Sequence, residues 1–236
     1  AVSIAKHLGY TPTSVRGSVA NIDVKVINPD GLPPKLTIDP YTAFVSTVDG
    51  QGYNFLTTKA YTASREGNEY NFSNVEVKEG QLQEYSYVVS DTTPRAKYEI
   101  PAASCDTTTI SVIVQKSATD LTRETYTLSE DLTKIDSTSK IFFLQQNPQE
   151  KYEIYFGDNV LGKSPDAGNI VIIRYLVSQG EITNVSSKIT QTFQAGSSIQ
   201  GSNNITVTTN SNSTSGKARE TITSIKHYAP KFNAAK

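Results

Sequence analysis

The sequence predicts a mainly β protein built from antiparallel β-sandwich or meander modules, with a short N-terminal helix and a C-terminal helix. Three observations support this class. Apolar and polar residues alternate from Ala20 to Val26, which is the period of a strand with one wet face. Glycine follows an acidic residue at Gly50, Gly67 and Gly80, where tight hairpins need a positive φ. Valine, isoleucine, tyrosine and threonine are plentiful, and they suit pleated, half-exposed surfaces.

The composition restricts the possible functions. The chain has 236 residues, enough for one large or two small domains. Its charges are interspersed and sum to -1, so we expect no bulk attraction to nucleic acid or to a membrane. Cys105 is the only cysteine, which excludes an internal disulfide, and we interpret it as a small buried hydrophobic residue. Because the chain begins at Ala1 and contains no methionine, we expect a fragment or a processed product.

The predicted strands fall into two β modules. The first module is assigned to residues 16–103, with strands at Ala20–Val26, Tyr41–Val48, Tyr53–Leu56, Glu69–Val77 and Leu82–Val89. The aperiodic stretch Ser90–Thr109 marks a soft boundary. The second module is assigned to residues 104–200, with strands at Ile110–Val114, Thr125–Leu128, Lys140–Gln145, Tyr152–Phe156 and Ile170–Val177. The last of these strands is continuously apolar, so we expect it to be buried on both faces.

The two ends of the chain are predicted to be helical. Residues 1–15 form a helix that enters from upstream sequence, because its apolar residues share one face: Ala1, Ile4, Ala5 and Leu8. Residues 201–236 contain a returning strand at Ile205–Thr208, an exposed loop at Asn210–Ser215 and a closing helix. We expect Ser215 to cap this helix and Pro230 to end it.

The sharpest motif is Gly157–Ser164, which matches the G-x-x-x-x-G-K-S pattern of a phosphate-binding loop and follows a predicted strand. A phosphate loop also needs a helix whose N-terminus faces the phosphates. Here Pro165 follows, and a β-branched strand begins at Ile170, so no helix can start properly at Lys163. No apolar strand ends in an acidic residue that would hold Mg²⁺. We therefore interpret the segment as a tight turn.

No other pattern indicates a catalytic or metal site. The only histidines stand near opposite ends of the chain, without an acidic residue at a ligand spacing (His7 and His227). Two pairs of acidic residues are close in sequence, and we interpret them as solvated turn charges (Glu66 with Glu69, Glu130 with Asp131). We expect the protein not to be an enzyme and to use no cofactor and no small-molecule substrate.

The stretch from Tyr152 to Tyr175 resembles the baseplate J-like family of contractile phage tails, and within it the baseplate wedge proteins of T4-type phages. The similarity covers a strand, an F-G-D-G turn, a G-x-x-P segment and a G-N-hydrophobic strand. Leu8–Pro12 and the closing helix also agree with the family, although Asn159 stands where the family often has glycine. The residues that form the motif are Phe156, Gly157, Asp158, Asn159, Gly162, Pro165, Gly168, Asn169 and Tyr175.

The resemblance implies a structural virion component, a wedge or ring connector in the tail baseplate that is assembled in the host cytoplasm. Such a connector associates with itself, as a homodimer or a ring, and binds other baseplate wedge proteins. A stable contact of this kind buries on the order of 1,600 Å² in total. For a connector with interspersed charges we expect no nucleic-acid, membrane or small-molecule partner.

Two other functions remain open from the sequence. A cell-surface adhesin or a carbohydrate-binding β module is favoured by the strands rich in serine and threonine and by 13 tyrosines. It predicts glycan binding by a monomeric chain. A nucleotide hydrolase is favoured only by the phosphate-loop pattern, and it predicts that Lys163→Ala abolishes nucleotide binding.

Overall fold

The computed structural model describes residues 11–90, 96–129 and 135–234. Within these ranges the protein is mainly β with antiparallel sheets and a C-terminal helix, which confirms the predicted fold class. The predicted N-terminal helix lies outside the described residues. The strands are β1 (Val19–Ile27), β2 (Lys35–Ile38), β3 (Ala43–Val48), β4 (Gln51–Thr57), β5 (Tyr61–Glu66), β6 (Glu69–Glu79), β7 (Gln81–Val88), β8 (Lys97–Glu99), β9 (Cys105–Gln115), β10 (Arg123–Leu128), β11 (Ile141–Gln146), β12 (Tyr152–Phe156), β13 (Ile170–Val177), β14 (Phe193–Ala195) and β15 (Asn204–Thr214).

The chain divides into two compact units, and each is built from separate stretches of sequence. The eight-stranded unit consists of residues 15–82 and 177–218. The seven-stranded unit consists of the described parts of residues 1–14, 83–176 and 219–236. Both units contain stretches that are distant in the sequence. Hydrophobic period identifies strands one at a time, and it carries no information on which distant strands pair.

The predicted module boundaries differ from this division. The predicted cut between residues 103 and 104 lies inside the seven-stranded unit, and the cut between residues 200 and 201 lies inside the eight-stranded unit. The soft boundary at Ser90–Thr109 also contains structure, because β8 and the start of β9 lie in it. The chain passes from one unit to the other near residue 82 and returns near residue 177.

The eight-stranded unit has the strand order β14-β3-β4-β6-β1-β15, with β5 beside β6 and β2 beside β5. Strand β1 pairs with β6 and β15, and its predicted alternation is confirmed, because Ala20, Ile22, Val24 and Val26 are almost completely buried. These residues belong to one hydrophobic core with the aromatic residues Phe44, Phe55, Tyr70, Phe72 and Phe193. Burial of each large apolar side chain stabilises the unit by about 2 kcal/mol.

Two of the three predicted acidic-glycine hairpins are present. Asp49 and Gly50 have φ angles of 50° and 82° and join β3 to β4, and Gly67, with φ 66°, joins β5 to β6. The hairpin predicted at Gly80 is wrong. The strand that follows it, β7, pairs with β13, because β6 is already flanked by β1 on one side and by β4 and β5 on the other.

The seven-stranded unit has the strand order β7-β13-β9-β10-β11-β12-β8. Strand β10 pairs with β11 in parallel over two residue pairs, and the pairs β9–β10, β11–β12 and β12–β8 are antiparallel. In β13 the successive residues Val171, Ile172 and Ile173 are all buried. This agrees with the predicted burial of the strand on both faces.

Four of the described strands were not predicted, and several others are longer than predicted, most clearly β9 and β15. Strands β2, β5, β8 and β14 are short or polar, so their alternation is weak in the sequence. The segment Asn210–Ser215, predicted as an exposed loop, lies largely in β15, which continues to Thr214. Threonine favours a half-exposed strand, whereas serine and asparagine favour turns, and this segment contains all three. Composition alone therefore did not separate strand from loop.

The C-terminal helix α1 spans Ile222–Ala234 and begins later than predicted. Thr221 caps it: its Oγ1 accepts a hydrogen bond from the Ser224 amide at 3.2 Å, while its carbonyl oxygen accepts one from the Ile225 amide. Ser215 therefore does not cap the helix, and Pro230 lies inside it. No helix among the residues that the structure describes is long and apolar enough to cross a bilayer.

Candidate functional site

The candidate site is the connection between β12 and β13, residues 157–169, called the corner below. It carries most of the motif residues singled out in the sequence. β12 and β13 are not neighbours, because β9, β10 and β11 lie between them in the sheet. The corner is therefore a long connection between distant strands of one sheet and not a hairpin.

The first half of the corner needs glycine at two positions for different reasons. A Cβ atom at Gly157 would overlap the carbonyl oxygens of Leu161 and Gly162, so the backbone doubles back directly onto this residue. Gly162 has φ 88°, and a Cβ atom there would also press on the Ile141 side chain. Asn159 has φ 64°, a left-handed conformation that asparagine tolerates better than most residues. The predicted turn therefore has a steric basis.

Side chains inside the turn hold its backbone amides. Asp158 Oδ1 accepts hydrogen bonds from the amides of Val160 at 3.1 Å and Leu161 at 3.0 Å. Asn159 Oδ1 accepts one from the Ser164 amide at 2.8 Å. These are local side-chain-to-backbone bonds of the kind that make aspartate and asparagine common in turns.

Main-chain carbonyl groups accept hydrogen bonds from the remaining amides of the loop. The Asn159 amide donates to the Gly162 carbonyl at 2.9 Å. The Gly162 amide donates to the Asp136 carbonyl at 2.9 Å, and the Lys163 amide donates to the Ser139 carbonyl at 2.8 Å. The loop that precedes β11 thus holds the corner in place through two main-chain hydrogen bonds.

Consequently, every amide from 159 to 164 already has a protein acceptor, whereas a phosphate loop directs its amides at the ligand. No helix begins at Lys163, since the chain runs through a turn into β13. The residue types of the corner match the phosphate-loop pattern, but its backbone does not have the geometry of a phosphate loop.

The Lys163 side chain has a structural partner. Its Nζ lies 2.8 Å from Glu124 Oε2 on β10, and Lys140 Nζ lies 3.1 Å from Glu124 Oε1. The hydrogen bond from Lys163, followed by the one from Lys140, holds the pKa of Glu124 below its usual value. The lysine that would contact a phosphate in a nucleotide site thus joins the corner to β10.

The second half of the corner is anchored to the ends of neighbouring strands. Pro165 is buried, and Gly168 and Asn169 form two backbone hydrogen bonds with Val89, which follows β7. Asn169 Nδ2 also donates to the Lys116 carbonyl, just after β9, at 2.9 Å. Both halves of the corner are thus attached to several strands of the same sheet.

The two aromatic residues of the motif belong to the packed interior of the seven-stranded unit. Phe156 makes edge-to-face contacts with Tyr98 and Tyr126, at ring-centroid distances of 5.6 and 5.1 Å. Tyr175 is buried in β13, and burial raises the pKa of its hydroxyl. Edge-to-face contacts add about 1 kcal/mol each beyond burial. Phe156 ends β12 and Tyr175 lies in β13, so the packing of these two residues holds the strands on either side of the corner in place.

Among the residues that the structure describes, the other candidates from the sequence are not brought together. Cys105 is buried, and burial raises the pKa of its thiol. Glu69 forms an ion pair with Lys25, and Glu66 accepts a hydrogen bond from Asn71. His7, Glu130 and Asp131 lie outside the described residues, and His227 contacts the ring of Tyr228. No group of three metal-ligating side chains occurs in the ranges that the structure describes.

Sequence reasoning found the corner but missed the residues that fasten it. These residues are distant from the corner in sequence: Glu124, Asp136 and Ser139. Two of them act through main-chain carbonyl groups, which leave no signature in the residue types.

No protein-family model matches the chain, and no curated protein matches it.

Proposed function

We propose that the protein is a structural component of a contractile phage tail, a baseplate wedge or ring connector that associates with itself and with other wedge proteins. The proposal starts from the resemblance of residues 152–175. The observation that carries it is that the corner exposes two adjacent apolar side chains, Val160 at 72% and Leu161 at 45%. An apolar tip on a fixed turn suits contact with another protein.

The backbone of this tip is fixed before any partner arrives. The amides of Val160 and Leu161 are bonded to Asp158, and the turn closes through the bond from Asn159 to Gly162. A segment that is already ordered loses less conformational entropy when it docks than a flexible loop does. More of the burial free energy of the two side chains is therefore retained as affinity.

The charges beside the tip also favour a protein contact. Lys163 and Lys140 both lie within ion-pair distance of Glu124, so neither cation at the base of the corner is without an acidic partner. The centres of protein interfaces are depleted in charged residues and contain apolar anchors, whereas nucleic-acid surfaces present unpaired cations. The exposed apolar side chains of the tip match the centre of a protein interface.

Strand β7 provides a second exposed surface in the same unit. It is a terminal strand of the seven-stranded sheet, and its Tyr85 and Val88 side chains are 46% and 67% exposed. An exposed sheet edge can pair with a strand of another chain. A standard contact of about 1,600 Å² exceeds what two tip residues can cover, so association requires such additional area.

The test is sedimentation velocity of the purified chain at two concentrations, alone and mixed with other wedge proteins of a contractile tail. We expect a complex whose fraction rises with concentration. The double substitution Val160→Asp and Leu161→Ser should weaken association at least about tenfold, because it removes apolar burial and places a charge in the contact. Leu121→Ser is the matched control, since Leu121 is also exposed, at 67%, in the seven-stranded unit.

A single monomeric species at both concentrations, together with no complex with any wedge protein, rejects the connector function. If Leu121→Ser weakens association as much as the tip substitutions, the corner is not the contact.

A further inference from the structure

Strand β4 has one edge that is paired over only part of its length. From Gln51 to Leu56 the strand pairs with β3, whereas its other edge pairs with β6 only from Phe55 to Thr57. The chain leaves this edge at Gly80, whose amide donates a hydrogen bond to the Asn54 carbonyl at 3.0 Å. No other described strand pairs with β4, so this edge is open beside the first residues of the strand.

The main chain of Gly52 faces the open edge. Successive residues of a paired strand direct their N–H and C=O groups to opposite edges, so Gly52 points to the same edge as Asn54. No described residue accepts a hydrogen bond from the Gly52 amide, and its carbonyl oxygen receives only a long contact of 3.4 Å from the Gln51 side chain. An exposed strand residue thus offers both a donor and an acceptor to another strand.

Neither backbone angle nor packing within the described chain requires glycine at position 52. Its φ lies outside the left-handed region, and a Cβ atom there would meet nothing within 4 Å. Glycine weakens the interior of a strand, and there it often marks a place where another backbone approaches closely. An open space of about 360 Å³ borders Gln51–Asn54, so the described part of the chain does not fill this place.

The open edge also lacks the features that keep exposed strands apart. Natural edge strands are often protected by lysine or proline. Strand β2, which pairs only with β5 in this sheet, follows Pro33 and Pro34 and carries the exposed Lys35. The segment Gln51–Asn54 contains no proline and no charged residue, and its neighbours on β3, Val45–Val48, are uncharged as well. Two copies of these paired strands therefore meet without like charges between them.

We infer that two copies of this chain pair through the open edge of β4, antiparallel about a two-fold axis at Gly52, and so join their sheets. Each Gly52 amide donates to the carbonyl oxygen of Gly52 in the other copy, and the two copies exchange both hydrogen bonds as an antiparallel residue pair does. A two-fold contact requires a surface that fits itself, and an antiparallel strand edge has this property. This contact rests on the proposed self-association, and it adds a surface in the eight-stranded unit to the corner of the seven-stranded unit.

The test compares Gly52→Pro with Gly52→Ala by sedimentation velocity of the chain at several concentrations. Proline removes an N–H group from an edge that no described strand uses, so the fold should be retained, and circular dichroism checks this. Gly52→Pro should weaken self-association at least about tenfold, because both hydrogen bonds at the axis are lost. Gly52→Ala keeps the N–H group and should weaken self-association by less than about threefold.

Amide hydrogen exchange of the original chain probes the contact directly. The Gly52 amide should exchange more slowly as the protein concentration rises, because its acceptor belongs to a second copy. If Gly52→Pro does not fold, Asn54→Lys takes its place: it puts like charges on both sides of the axis, so it should weaken association, and added salt should restore part of it. Asn203→Lys, at an exposed position of the same unit outside β4, is the matched control and should leave association unchanged.

Three outcomes overturn this contact. Self-association with a Gly52 exchange rate that does not depend on concentration places the contact elsewhere and leaves the proposed function intact. Equal losses in Gly52→Pro and Gly52→Ala mean that the edge hydrogen bonds do not carry the association. A chain that stays monomeric on its own also excludes the contact, whereas the proposed function is rejected only if complexes with wedge proteins are absent as well.

Discussion

The glycine turn at Gly50 and the glycine corner at Gly157 look alike in the sequence, yet different interactions determine them. Gly50 closes a two-residue hairpin between β3 and β4, with φ 82°, and a Cβ atom there would meet nothing within 4 Å. Its glycine is required only by the local backbone angle. Gly157 stands where a Cβ atom would overlap the carbonyl groups of Leu161 and Gly162.

The difference shows how far a local pattern determines structure. In the hairpin, the turn residues and the adjacent strands are neighbours in sequence, so all the determining contacts are local. In the corner, two of the amides depend on the carbonyl groups of Asp136 and Ser139, more than twenty positions away. The corner therefore depends on the rest of the sheet, and the hairpin does not.

The largest expected effect comes from Gly157→Ala. The added methyl group cannot fit without moving the backbone, so the free energy of unfolding should fall by about 3 kcal/mol. Gly50→Ala is the matched control, and it should lose only about 1 kcal/mol, the cost of a left-handed conformation for alanine. Urea unfolding followed by circular dichroism measures both values.

Hydrogen-exchange mass spectrometry locates the two changes. Gly157→Ala should increase exchange in β11, β12 and the corner, whereas Gly50→Ala should affect only β3 and β4. Equal losses of stability in the two variants would contradict the distinction between a turn determined by packing and a turn determined by backbone angle.

The same distinction explains which parts of the fold the sequence predicted. Strand β1 was predicted because its alternation reflects burial of one face, and the hairpin at Gly50 was predicted because its determinants are adjacent. The hairpin at Gly80 was wrong although its residues are equally suitable, because β6 already has partners on both sides. Pairing between distant strands is a property of the whole sheet.

The candidate site shows the same limit. The sequence argued against a phosphate loop from the residues that follow Lys163, and the structure adds a second reason, the protein acceptors of the loop amides.

A smaller effect is expected from Asp158→Ala, which removes the local acceptor of the Val160 and Leu161 amides. These two positions are exposed, so water can replace the lost bonds, and the free energy of unfolding should fall by about 1 kcal/mol. The tip should nevertheless become less ordered, and self-association should weaken. Asp158→Asn keeps the Oδ1 acceptor and is the matched control.

Exchange rates of the Val160 and Leu161 amides provide the readout for this prediction. They should rise in Asp158→Ala and remain close to the original rates in Asp158→Asn. If exchange at the tip is the same in all three proteins, the carboxylate does not order the tip, and the pre-ordering argument for docking loses its basis.

The smallest effect is expected from Glu124→Gln, which weakens the link between the corner and strands β10 and β11. The ion pairs with Lys163 and Lys140 are partly exposed, so the loss at neutral pH should be about 0.5 kcal/mol. Because the folded protein lowers the pKa of Glu124, this stabilisation is present above the unfolded pKa of about 4.3 and is lost as the pH falls through the folded pKa.

Unfolding free energies measured across the acidic range therefore distinguish an ion-pair effect from a packing effect. The difference between the original chain and Glu124→Gln should shrink towards zero at the acidic end. A difference that stays constant at all pH values would mean that the corner is held by its backbone bonds to Asp136 and Ser139 alone, and that the charge of Lys163 contributes nothing to its position.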